Sequence, residues 1–270
     1  MSLEEGPVVG AVRLGRGRRP QTAKVRDARD AAYREHIFEV AEKLFAEQGF
    51  DNTRMQDIAA AAGISLGTLY QSYPGKRELH RGLLTGRDQQ MLDAVVLRQK
   101  TMARSTAGGM ERILWMLEAN LRFLLQHPDY LRMHLHEGHA WYNRAADGTQ
   151  DQDEVWTRGQ ALMEQVFNWG MAEGWFSPGV PAHMARLVVV NQQTRLANWV
   201  IDGLHAPHEQ VLAQIQADFV RLFCTPAVIA RLLSGDGSGL SEQTLQTLRA
   251  MSAMALASGD QAAGGARRDG

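Results

Sequence analysis

Residues 63–76 read GISLGTLYQSYPGK. The stretch places Ser65, Thr68, Tyr70, Ser72 and Tyr73 around only a few aliphatic side chains and ends in Pro74-Gly75 before Lys76. Ser65 is a preferred N-cap residue for a very short helix, and the Pro-Gly pair stops it. Upstream, Thr53 offers an N-cap with Gln56 three residues on, the spacing of a capping box. That helix carries Ile58, Ala59 and Ala62 and ends at Gly63. Two short helices joined across a glycine turn form a helix-turn-helix, whose second helix enters the DNA major groove. Small residues at 59, 62 and 63 allow close approach, and Ile58, Ile64 and Leu69 face inward. Ser65, Leu66, Thr68, Tyr70 and Gln71 are left to point outward. Their hydroxyls suit phosphate oxygens and base edges, and a methyl suits thymine. Lys76 opens the next helix, where its ammonium and the helix amides favour phosphate.

Working outward, Ile37, Val40, Ala41, Leu44 and Phe45 fall on one helical stripe that starts from about Asp30 and stops at Gly49. A long helix is expected from Lys76 to about Arg98. Beyond Gly108-Gly109 every periodic segment is helical. Helices are expected from Met110 to near His127-Pro128, through about His139, around Val155–Phe167, over Pro181–Asp202 and over Pro207–Phe223. Residues 147–153 read as a loop, and a short helix is placed after Pro226. The glycine-, serine- and alanine-rich end reads as a poorly ordered tail with a weak helix near Leu240–Met254.

The segment TRMQDIAAAAGISLGTLYQSYPGKREL, residues 53–79, resembles the DNA-binding segment of the TetR family of bacterial transcriptional regulators. Thr53, Ile58, Ala59, Ala62, Gly63, Ser65, Gly67, Thr68, Leu69, Tyr70, Tyr73, Lys76 and Leu79 carry the resemblance. It implies that Thr53 contacts phosphate at the start of the second helix. It implies a recognition surface of Ser65, Leu66, Gly67, Thr68 and Tyr70, with Tyr73 and Lys76 on backbone phosphate. Ser72 departs from the histidine or asparagine the family often has there. The resemblance covers the first third of the chain. The helical remainder fits the family's ligand-binding and dimerisation domain by length and periodicity.

The expected architecture is therefore all-α. A flexible basic arm spans 1–29, a three-helix helix-turn-helix domain 30–80, a larger helical effector-binding and dimerisation domain 81–233, and a tail 234–270. The arm concentrates Arg13, Arg16, Arg18, Arg19, Lys24, Arg26 and Arg29 in a chain of net charge −1. Helices 181–202 and 207–223 are the expected homodimer interface. The expected partners are a palindromic double-stranded DNA operator and a small-molecule effector, and no cofactor is required.

Candidate effector-lining residues are Trp115, Phe123, Met133, Trp141, Phe167 and Trp169, with Asn191 and Arg195 inside a mostly apolar helix. Trp156 and Trp199 belong to the same set of scattered aromatics. Each is also an ordinary core residue type at helical spacing. His134, His136 and His139 lack the HExxH spacing of a zinc helix and read as polar residues on a partly exposed helix. No phosphate-cradling glycine loop and no nucleophile elbow point to an enzyme. One cysteine, Cys224, rules out an internal disulfide and agrees with a reducing, cytoplasmic setting. No stretch reads as a secretory signal or a membrane span. A protein-binding helical adaptor and an activator of the same fold remain the alternatives to a ligand-released repressor.

Overall fold

The computed structural model describes residues 21–102, 109–136 and 150–265. They form α1 (Gln21–Asn52), α2 (Met55–Ala61), α3 (Leu66–Ser72), α4 (Lys76–Met102), α5 (Met110–Gln126) and α6 (Pro128–His136). Then follow α7 (Gln150–Ala172), α8 (Pro181–Ile201), α9 (His208–Phe223), α10 (Pro226–Leu232) and α11 (Glu242–Gly265). Among the described residues the extended pairings are two isolated bridges, Phe176 with Cys224 and Leu233 with Leu240. No described helix is long and apolar enough to cross a membrane.

Two apolar cores hold these helices. The first joins Ile37, Phe45, Ile58, Leu69 and Leu79 to Leu124, Tyr130, Leu131, Leu196 and Leu212. The second gathers Ile113, Leu114 and Trp115 with Phe167, Phe176, Phe219, Phe223, Leu232, Leu248 and Met251. The first core crosses the boundary expected at residue 80, because α6 docks directly on α1.

Several expectations are corrected. α1 begins at Gln21 rather than near Asp30, so the last nine residues assigned to the arm are helical. Residues 1–20, with Arg13, Arg16, Arg18 and Arg19, lie outside the described residues. α7 starts at Gln150, inside the expected 147–153 loop. The larger change is at the C-terminus, where the weak helix expected near Leu240–Met254 is α11, longer than expected and packed on the second core. Leu240, Thr244, Leu248 and Met251 recur at helical spacing and are buried, and α11 packs on α5. Glycine and serine abundance around this stripe made it read as weakly ordered, although its helical periodicity was present.

α9 is largely committed to its own chain. Most of its surface is buried within its own chain, from Val211 and Leu212 through Ile215, Phe219 and Phe223. Its exposed apolar side chain is Leu222, while α8 exposes Leu187, Val190 and Ile201.

Candidate nucleic-acid interface

The turn between α2 and α3 is built from local backbone chemistry. Gly63 adopts φ 67°, a left-handed conformation that costs an L side chain about 1–2 kcal/mol. There the Gly63 N–H donates to Ala60 O at 3.1 Å and the Ile64 N–H to Ala59 O at 3.0 Å, which closes α2 as a Schellman cap. His36 of α1 supports the same turn, with Nε2 3.2 Å from the Ala62 carbonyl oxygen. Because a carbonyl only accepts, Nε2 carries the proton.

α3 is capped as expected. Ser65 Oγ accepts the Thr68 N–H at 3.0 Å and shares a 2.7 Å hydrogen bond with Thr68 Oγ1. Leu69 is fully buried and anchors the helix. Tyr70 is 47% exposed, and Ser65, Gly67, Gln71 and Ser72 are exposed with it. Leu66 and Thr68 are half-buried at the edge of this face. These side chains lie on or beside one seven-residue helix, so the structure brings the sequence-derived recognition set together.

Three expected phosphate contacts read differently. Thr53 does not cap α2: its position is taken by Arg54, which makes no side-chain cap. Thr53 is buried, and its hydroxyl donates to Gly49 O at 2.8 Å and Leu44 O at 3.3 Å. That hydroxyl therefore closes α1, where Gly49 breaks the helix at φ 78° and leaves carbonyls without partners. Lys76 serves the same helix end. Its Nζ donates to Phe50 O at 2.6 Å and Asp51 O at 3.1 Å and sits 4.4 Å from the centroid of the Phe50 ring. A cation at a helix C-terminus complements the macrodipole. Tyr73 is half-buried, its ring 6.0 Å from that of Phe38, and burial raises its hydroxyl pKa.

Two exposed cations went unnoticed in the sequence, Arg54 before α2 and Arg77 after Lys76. Their signal was present as basic residues at helix starts. The resemblance drew attention to Thr53 and Lys76 instead.

The described effector candidates are spread over separate surroundings. Trp115 is buried, with its indole N–H on Ser252 Oγ at 2.9 Å. Phe167 is fully buried against Phe176, Phe219 and Phe223. Phe123 packs on His127, ring centroids 4.4 Å apart. Trp169 is exposed and edge-on to Trp175. Asn191 is half-buried, and Arg195 forms a 2.6 Å ion pair with Asp218 of α9. Trp199 is buried and donates to Ala206 O at 2.9 Å. Met133 is buried but lines a cleft of about 300 Å³ with Phe45, Phe50, Asp51 and His80. Trp141, His139 and the side chains of Trp156 and His136 lie outside the described residues. His134 is buried and edge-on to Tyr130, not partly exposed as expected.

A buried polar junction joins the helix-turn-helix unit to the larger domain. Arg87 of α4, 1% exposed in its side chain, donates through Nε to Glu42 of α1 at 2.7 Å. It also pairs with Glu35 and with Gln90 at 2.9 Å. Tyr130 of α6 donates its N–H to the other Glu42 oxygen at 3.0 Å and its hydroxyl to Asp88. Burial raises the Glu42 pKa against the opposing effect of Arg87. Two carboxylates around one guanidinium let a fully buried charge be tolerated.

A short capped helix offering hydroxyl, amide and aromatic groups across a glycine turn from its partner defines a helix-turn-helix DNA-binding regulator. The sequence profile of bacterial regulatory proteins of the tetR family matches residues 37–82, which run from mid-α1 into α4. Within that stretch the chain carries the DNA-binding segment of the TetR family. It is similar to the HTH-type transcriptional repressor KstR2 of Mycobacterium tuberculosis, 27% identical over 186 residues, 67% of this chain and 85% of that protein. The solved structure of the ketosteroid transcriptional regulator KstR2 matches 71% of this chain and 95% of its own at a TM-score of 0.56 and 25% identity. The fatty acid degradation regulator FadR from Bacillus halodurans shares the fold, with a TM-score of 0.58, 17% identity, and 70% and 94% of the two chains covered.

Proposed function

We propose that the chain is a homodimeric repressor that leaves a palindromic operator when a small apolar effector binds. The observation that carries the DNA-reading part is the exposed face of α3, held outward by buried Leu69 and capped by Ser65. Leu66, Thr68, Tyr70 and Gln71 read base edges, and Arg54 and Arg77 contact phosphate in place of Thr53 and Lys76. Leu187, Val190 and Ile201 follow one α8 stripe and, with Leu222 of α9, supply the apolar surface for a second copy. Domains of 21–80 and 81–254, hinged on α4, match this division of labour, with the arm before residue 21 adding charge.

The effector reading rests on the likeness to KstR2, a ketosteroid transcriptional regulator, and on the aromatic-rich larger domain. Fused-ring and other lipid-like compounds are the first class to screen. Selection of bound duplexes from random DNA tests the core of the proposal. Two inverted half-sites about 34–36 Å apart, or a multiple of that distance, are expected. Recovery of no enriched sequence at low salt favours the adaptor reading.

A further inference from the structure

α4 carries two largely buried arginines, Arg87 and Arg98, eleven residues apart, which is about 16 Å along a helix axis. Arg87, near the middle of α4, holds that helix to α1. Arg98 holds the far end, in different company. Its NH2 group donates to Glu118 Oε2 of α5 at 2.7 Å and to Ser252 Oγ of α11 at 3.4 Å. Its guanidinium lies 3.9 Å from the centroid of the Trp115 ring.

Ser252 completes the cluster. Its oxygen accepts from Trp115 Nε1 at 2.9 Å and from Arg98, and its hydroxyl donates to Glu118 Oε2 at 3.4 Å. One hydroxyl thus uses its single proton and both lone pairs. The other Glu118 oxygen accepts from Gln216 of α9 at 3.3 Å, and Arg122 Nε approaches Oε2 at 3.3 Å. Leu248 and Met251, one turn before and directly before Ser252, fasten α11 to the second core. Arg98 Nε is buried without a partner, so the far end of α4 is held less completely than its middle.

We propose that α11 is a strap on α4, with Arg98 and Ser252 as positioning residues that help set the separation of the two recognition helices. The inference rests on the homodimeric reading above. A palindrome is bound tightly only when both recognition helices match its spacing, whereas a single half-site is indifferent to that spacing. A strap on the connecting helix therefore acts on the first kind of binding and spares the second.

The test uses the full chain, a duplex carrying its selected palindrome, and a duplex carrying one half-site. Ser252→Val and Arg98→Met are expected to weaken palindrome binding about tenfold, and half-site binding less than twofold, with the dimer intact by sedimentation. Arg98→Lys should recover part of the loss. Ser252→Ala, read by hydrogen exchange, should raise exchange severalfold in the last turns of α4. Equal losses on both duplexes, no loss on either, or unchanged α4 exchange would overturn the strap. A wild-type chain that is monomeric, or indifferent to the second half-site, overturns the dimer reading and the strap with it.

Discussion

Lys76 shows how one side chain can be read two ways. As a lysine at a helix start it suits phosphate, but its ammonium is committed to the Phe50 and Asp51 carbonyls and the Phe50 ring. Charge-assisted hydrogen bonds contribute about 1.5–3 kcal/mol, and partial exposure lowers that figure. Lys76→Ala is therefore expected to cost about 1–2 kcal/mol in denaturant unfolding, while the salt dependence of operator binding stays unchanged. A salt slope shallower by about 0.9, the value for one lost phosphate contact, with no loss of stability would return Lys76 to the DNA. Tyr70 has the opposite profile. It is half-exposed and contributes little to the core, so Tyr70→Phe should weaken operator binding by about 1 kcal/mol without moving the unfolding midpoint. Thr68→Ala or Leu66→Ala should alter the sequence preference in a binding-site selection, since these side chains flank the outward face of α3.

At the scale of elements, α11 and the α5–α6 joint make separate predictions. Leu248 is buried against the second core, and truncating a buried leucine costs about 2–5 kcal/mol. Leu248→Ala should therefore lower the unfolding midpoint sharply, whereas a dispensable tail would leave it in place. At the joint, His127 caps α5 and stacks on Phe123. Burial, followed by the nearby Arg87 charge, lowers its pKa from 6.5. The folded state then resists protonation more than the unfolded chain, so stability falls as pH drops below about 6.5 and proton uptake by the unfolded state wins. Thermal unfolding between pH 7.5 and 5 should show this loss, and His127→Gln should lose less over the same interval.

The whole molecule is organised by α4, which runs from the helix-turn-helix unit into the larger domain and is gripped near its middle and near its far end. The grip at Arg87 also involves α1 and α6, so movement of α6 reaches the DNA-binding unit through Glu42 and Tyr130 as well as through α4 itself. An effector that displaces these helices must bind the DNA-free form more tightly, and DNA must weaken the effector by the same factor. The basic segment before α1 is expected to act on a different quantity, the number of phosphates neutralised. Deleting residues 1–20 should weaken binding to specific and random duplexes alike and flatten the slope of log affinity against log salt. An unchanged slope would leave those arginines without a role on DNA.

The helix-turn-helix was legible in the sequence because local chemistry makes it. Gly63 supplies a left-handed turn, Ser65 a cap, and Ile58 and Leu69 a spacing that turns two faces inward, all within a few residues. The starts of α3, α5 and α8 were legible for the same reason. What each polar group touches depends on partners far along the chain, and only the tertiary structure decided that. Thr53 and Lys76 turn back to the end of α1, Arg195 is taken by Asp218, and Arg98 meets Ser252 across 154 residues. Trp115, Phe123, Phe167 and Trp199 were identifiable as core residue types, but not as members of two cores, and Trp169 is exposed. Periodicity reports that a face is covered; the packing of distant helices determines what covers it.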